Sequence, residues 1–221
     1  MFVKDQMTPN PLTVRPETPI IEAQEKMRQH NIRHLPVVED DFYLVGLLNR
    51  ETILQAMPWS AAHLSAFETQ YILSKVKARN VMLRDVITVV EDELVEEAAR
   101  IMVDHKMTCL PVMRNKRLVG IITDIDLLAI TMEMLGARRH GLRLSVLVPN
   151  RVGEIARLST AIASIGGNLA AFGTWEGELD PISGSPKQIG IVLRVEEVSK
   201  ERVITAVEKL ADVEILNLRE V

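Results

Sequence analysis

The chain of 221 residues reads as an α/β (α+β) protein in which one small α/β unit is used twice and a βαββαβ segment follows. Three observations predict this. Shifting the sequence by 75 positions lays Met7 on Met82, Thr13 on Thr88, Val14 on Val89, Ala23 on Ala98 and Met27 on Met102, and lays Leu35-Pro36-Val37 on Leu110-Pro111-Val112. After a contraction by one residue in the following turn, Gly46 falls on Gly120. Within each copy, short apolar runs alternate with stretches of helical period. From Leu142 onward the grammar changes and opens on period-two alternation.

Each repeat starts with a short strand, Leu12-Thr13-Val14 in the first and Ile87-Thr88-Val89 in the second. A helix follows. In the first repeat Thr18 is placed to cap it, and Pro19 takes the first helical position, where a missing N–H costs nothing. Ile20, Ala23 and Met27 share one face of this helix, as Leu94, Ala98 and Ile101 do in the second repeat. Two strands come next, joined by Glu39-Asp40-Asp41 and by Arg114-Asn115-Lys116-Arg117. The second strand of each pair, 44–48 and 118–122, is nearly all apolar, as a strand buried on both faces should be. Another helix closes each repeat, and 51–77 is mostly helix-forming with a break at Pro58. A unit of about 60 residues buries little surface alone, so two are expected to pack around a pseudo-twofold cleft.

In the last segment Leu142, Leu144, Val146 and Val148 alternate as in a strand. A loop from Pro149 to Gly153 leads to a helix with Ile155, Leu158, Ile162 and Ile165 on one face, ended by Gly166-Gly167. A strand at 169–175, a Gly/Pro/Ser loop at 176–187 and a strand at 189–195 follow. Ser199 is placed to cap a helix carrying Val203, Val207 and Leu210, and 213–218 reads as a last strand. The order is that of the ferredoxin-like fold.

Composition narrows the function. Lys and Arg total 26 against 30 Asp and Glu, and neither the repeats nor the last segment holds the basic excess that nucleic acid or an anionic membrane would call for. The start has no continuous apolar core, so it does not read as a signal peptide, and the longest uncharged stretch, 158–175, is too polar to span a bilayer. One cysteine, Cys109, excludes an internal disulfide and a Cys-based zinc cage, and fits a reducing cytoplasm.

Few residues carry chemistry by spacing alone. Thr123 and Asp126 stand three apart where a strand turns into a helix, which is also the spacing of a capping box. Cys109 precedes an apolar strand and reads as an inert core thiol. His30, His34, His63, His105 and His140 do not pair at metal-ligand spacing on one helix, so no metal is assigned. Glu91-Asp92-Glu93 and Glu96-Glu97 read as a solvated first helical turn. No P-loop, G-x-G-x-x-G or nucleophile–base set is found, and no catalytic residue is assigned.

Residues 1–135 resemble a tandem pair of cystathionine-β-synthase-type (CBS) domains, a Bateman module. The resemblance rests on Met7-Thr8-Pro9 with Thr13-Val14, on the run Ile32-Arg33-His34-Leu35-Pro36-Val37-Val38, and on the run from Leu118-Val119-Gly120 through Ile121-Ile122-Thr123 to Asp126-Leu127. Residues 140–221 resemble an ACT domain through Val148-Pro149-Asn150-Arg151-Val152-Gly153 and Gly166-Gly167-Asn168-Leu169, with Val152 where the family's loop has proline. The domains implied are 1–75, 76–135 and 140–221, and the order CBS–CBS–ACT resembles the bacterial acetoin-utilisation family.

The resemblance implies a regulatory, non-catalytic protein that needs no cofactor and binds an adenosine compound: AMP, ADP, ATP or S-adenosylmethionine. Thr123 and Asp126 would meet the ribose, with the carboxylate accepting from the diol. Arg33 and His34, from the sister repeat, would face phosphate, Arg33 through its fork. Ile87, Thr88, Pro111 and Ile122 would form the adenine slot, or serve as plain core. The equivalents of the ribose pair in the first repeat are Asn49 and Thr52, so the second site lacks its carboxylate and is expected to be weak or empty. In the ACT segment, the loop residues Asn150, Arg151, Val152, Gly153 and Glu154 would offer backbone N–H groups to an amino-acid carboxylate, with Asn168 approaching from a neighbouring subunit. A homodimer is expected, since an exposed sheet edge tends to find a partner. Two rivals stand beside this reading: a ligand-free dimerisation scaffold, and a nucleotide-hydrolysing enzyme.

Overall fold

The computed structural model describes residues 1–55, 71, 73–177 and 187–221. The first repeat runs through a helical turn α1 (Val3–Gln6), β1 (Thr8–Pro9), α2 (Ile20–Gln29), β2 (His34–Val38), β3 (Leu44–Asn49) and α3 (Arg50–Gln55). The second runs through α4 (Ala78–Val81), β4 (Val89–Val90), α5 (Val95–Asp104), β5 (Cys109–Arg114), β6 (Arg117–Thr123) and α6 (Asp124–Met134). Both hairpins are antiparallel, and both Leu-Pro-Val triplets are buried within them. The break expected at Pro58 lies outside the described residues.

The repeats exchange their opening segments. β1 does not pair with its own hairpin but with β6 of the second repeat, Thr8 opposite Ile121 and Pro9 opposite Gly120. In the same way Leu83 bridges Leu47 of the first repeat, with backbone N–H···O distances of 2.9 and 3.0 Å. Each chain segment then returns to its own repeat, Val14 beside Val37 and Val89 beside Val112, both parallel. Glycine permits the exchange. A β-carbon on Gly120 would lie 2.2 Å from Met7 Sδ, and one on Gly46 would lie 2.4 Å from Met82 Sδ. The two cores are mixed accordingly: Val3 and Met7 pack with Leu110, Val112 and Ile122, while Ala78 and Met82 pack with Leu35, Val37 and Leu48. These contacts place residues 1–127 in one compact unit.

Several local expectations are corrected. The opening strands shrink to a bridge at Val14 and to Val89–Val90, and the pairing with the other repeat is made further upstream, by Thr8–Pro9 and by Leu83. Thr18 Oγ1 accepts a bond from Arg15 N–H (3.0 Å) and closes a turn instead of capping α2, whose N-cap is Pro19. In α5 the buried face is Val95, Ala98 and Met102, and Leu94 is exposed because it sits before the helix.

The second unit, residues 128–221, has the expected βαββαβ order: β7 (Leu142–Pro149), α7 (Glu154–Ser164), β8 (Asn168–Glu176), β9 (Gln188–Glu196), α8 (Lys200–Glu208) and β10 (Glu214–Glu220). The sheet order is β10-β7-β9-β8, all antiparallel. Leu142, Leu144, Val146, Val148, Ile191, Leu193 and Val195 face Leu158, Ile162, Val203 and Val207 of the two helices. Ile155 was expected on the buried face of α7, but Glu154 is the residue buried there and Ile155 is exposed. Most of the Gly/Pro/Ser loop, 178–186, lies outside the described residues. Among the described residues no helix is long and apolar enough to cross a membrane.

Candidate functional site

A cavity of about 440 Å³ opens in the first unit where the exchanged opening segment crosses β6. One wall comes from the first repeat, through Thr8, Asn10, Pro11 and Leu12 and through Ile32, Arg33 and His34. The other comes from the second repeat, through Ile121, Thr123, Ile125 and Asp126. Thr123, Asp126, Arg33 and His34, assigned to opposite ends of one ligand, therefore line a single space.

Thr123 and Asp126 form a closed turn at the start of α6. Thr123 N–H and Thr123 Oγ1–H both donate to Asp126 Oδ2, at 2.8 and 2.7 Å. Asp126 Oδ1 has no partner among the described residues. The capping role and a ligand role are thus divided between two oxygens of one carboxylate. The counterpart in the first repeat is also a closed turn: Thr52 N–H donates to Asn49 Oδ1 (2.8 Å) and Asn49 N–H to Thr52 Oγ1 (3.0 Å). Thr52 is buried and neither residue carries a charge, so this turn serves the start of α3.

The cations reach across from the first repeat. Arg33 Nη2 donates to Asp124 Oδ1 at 2.8 Å, in a pair that remains half-exposed. His34 Nε2 and Thr108 Oγ1 share a hydrogen bond of 2.9 Å. Burial, helped by the Arg33 charge, holds the His34 imidazole below its ordinary value, against the opposing pull of Asp124. His34 is therefore a neutral hydrogen-bonding group at pH 7, and Arg33 is the cation. Cys109 lies behind this wall, 2% exposed, and burial pushes its thiol up to about 12, as an inert core thiol requires.

The residues expected to form an adenine slot, Ile87, Thr88, Pro111 and Ile122, lie outside this cavity. Ile122 is fully buried against Val3 and Leu110, and its neighbour Ile121 faces the cavity instead, since adjacent strand residues point to opposite faces. Leu12 stands where Ile87 was expected. It is the residue 75 positions earlier, brought there by the exchange of opening segments. Sequence reasoning also missed Asn10 and Ile32. The signal available for them was the pairing of Met7 and Met82 with Gly120 and Gly46.

The loop of the second unit is occupied by its own charges. Glu154 is 2% exposed and accepts from Arg157 Nη1 (2.8 Å) and from Arg151 Nε. Arg151 also reaches Asp212 at 3.2 Å. Burial would raise the Glu154 carboxyl, but the bonds from Arg151 and Arg157 outweigh it and hold the group below its ordinary value. Glu154 and Arg151 are thus committed to each other, while Val152 is fully exposed and Gly153 precedes the helix with φ 95°. Asn150 N–H donates to Lys187 O at 3.0 Å, and Asn168 Nδ2 donates to Glu196 at 3.4 Å.

Comparison with known proteins follows this division. The family model for the CBS domain matches residues 3–58 and 78–133. A solved structure of AcuB from Vibrio cholerae, assigned by its name to acetoin utilization, is 30% identical, covers 62% of this chain and 95% of that one, and superposes with a TM-score of 0.53. CBSX2 in complex with AMP is 28% identical, covers 62% and 99% of the two chains, and has a TM-score of 0.51. The L-aspartate semialdehyde sulfurtransferase of Methanocaldococcus jannaschii is 32% identical over 127 residues, 57% of this chain and 22% of that enzyme. The matched stretch amounts to less than half the length of such curated relatives.

Proposed function

The chain belongs to the CBS-domain family, and on that premise we propose that it is a regulatory protein that binds an adenine nucleotide in the cavity shared by its two repeats. The observation that carries this reading is the cavity itself: a ribose pair from one repeat and a fixed cation from the other line one space of nucleotide size. Asp126 Oδ1 accepts from the ribose diol, Pro11, Leu12, Ile32 and Ile121 enclose the base, and Arg33 turns from Asp124 to the phosphate. The complex of CBSX2 with AMP supports the same ligand class. The Asn49–Thr52 turn offers no charge, so the nucleotide is held at a single site.

Helix α6 starts at the ribose pair and continues along the chain into the second unit. A nucleotide that prefers one state of that helix start shifts the protein; equal affinity for both states would shift nothing. The second unit contributes a dimer contact through the exposed edge strand β8. The family order and the likeness to AcuB suggest a role near acetoin use in the cytoplasm and an amino-acid ligand for the second unit, an ACT domain in this reading.

A thermal-shift scan with AMP, ADP, ATP and S-adenosylmethionine tests the proposal. At least one of the four raises the melting temperature of the wild type, and Asp126→Ala removes the rise. The scaffold reading draws on one observation, the Arg33–Asp124 pair that already satisfies the cation. It gains if none of the four shifts the wild type. The enzyme reading requires sustained nucleotide turnover by the purified chain.

A further inference from the structure

The outer face of the second unit's sheet, opposite its two helices, carries three arginines in one cross-strand row. Register places Arg219 of β10 directly opposite Arg143 of β7, and Arg143 directly opposite Arg194 of β9. Directly opposed residues of an antiparallel sheet point to the same face, and like charges so placed repel. None of the three has a carboxylate partner among the described residues. The nearest acid along β9, Glu196, is engaged by Arg139 at 3.7 Å and by Asn168.

Arg194 is the unusual member. It is 6% exposed, and among the described residues its one side-chain bond runs from Nη1 to the Arg139 carbonyl at 3.0 Å. Its Nε–H is buried without a partner. In the next row of the same face Asn217 pairs with Ser145, and Asn217 Oδ1 is also buried without a partner. Arg143 donates to Ser145 Oγ at 2.9 Å. A buried guanidinium with an idle donor beside two more of its kind is costly in an apolar setting, and the matching counter-charge is an oxyanion that accepts forked N–H bonds.

We propose that this row is a binding site for a small doubly charged oxyanion, a phosphate group or a dicarboxylate, built by Arg143, Arg194 and Arg219 with Ser145 and Asn217 at its side. Arg143 and Arg219 are exposed and supply the first contact, with Arg194 behind them in the same row. The site is separate from the nucleotide cavity and does not rest on it.

The test is calorimetric titration of the full chain with inorganic phosphate and, separately, with succinate at constant ionic strength. At least one of them binds saturably to the wild type. Arg143→Gln and Arg219→Gln, exposed and therefore tolerated, each weaken that binding about tenfold or more, while Arg33→Gln leaves it unchanged. Preference for phosphate over succinate, or the reverse, names the oxyanion. The proposal is overturned if neither anion binds saturably up to about 10 mM. It is equally overturned if binding survives Arg143→Gln and Arg219→Gln but is lost with Arg33→Gln, which would return the anion to the nucleotide cavity.

Discussion

Arg33 of the first repeat donates to Asp124 of the second at 2.8 Å, so the guanidinium that lines the shared cavity is held by a carboxylate two residues from Asp126. A ligand phosphate must compete for that guanidinium. The pair is half-exposed and worth roughly 0–1 kcal/mol, so competition is easy.

The two partners therefore act with opposite sign. Arg33→Ala weakens AMP binding about tenfold or more and leaves adenosine binding nearly unchanged. Asp124→Asn frees Arg33 and tightens AMP binding, by no more than about fivefold. Titrations with AMP and adenosine side by side check both signs.

His34 gives the stability an acid limb. Its folded-state value lies below the ordinary 6.5, so the unfolded chain binds the extra proton first. The contribution is complete above about 6.5 and is lost as the pH falls from there through the lower folded value. Urea titrations between about pH 7.5 and 5 show the slope, and His34→Gln flattens it.

Glu154 supplies a second limb at lower pH. Its carboxyl is depressed, so its contribution is present above the ordinary 4.5 and fades as pH falls through the folded value. Glu154→Ala strips two half-exposed arginines of their partner and costs about 1–3 kcal/mol at pH 7. Glu154→Gln costs less and removes the acid dependence. Denaturant unfolding at two pH values separates the variants.

Much of this was legible in the sequence. The repeat was visible because Leu-Pro-Val and the matched Met, Thr, Ala and Gly positions serve identical packing sites in both copies, and the βαββαβ order because 142–148 alternates strictly. Thr123, Asp126, Arg33 and His34 were found because short motifs carry them. Leu12, not Ile87, lines the cavity for a topological reason: a shift of 75 matches the two residues but does not say which repeat each segment pairs with. Glu154 was placed in the loop as a backbone donor, but its burial between Arg151 and Arg157 was not foreseen, because a charged residue carries no apolar signal, although the two arginines flank it at helical spacing.

The segment exchange is testable at Gly120. An alanine β-carbon there meets Met7 Sδ at 2.2 Å and Cγ at 2.9 Å, so Gly120→Ala destabilises the first unit by about 1–3 kcal/mol. Met7→Ala makes room and recovers part of the loss when combined with it. A double-mutant cycle by thermal unfolding measures the coupling; additive effects would detach β1 from β6.

Calorimetric titration of AMP into the wild type and Asp126→Ala bears most directly on the shared cavity. A single saturable site per chain is predicted, lost in Asp126→Ala while the variant stays folded. AMP binding of equal strength in both proteins, or two equivalent sites in the wild type, would contradict a pocket whose sugar contact comes from one repeat and whose cation comes from the other.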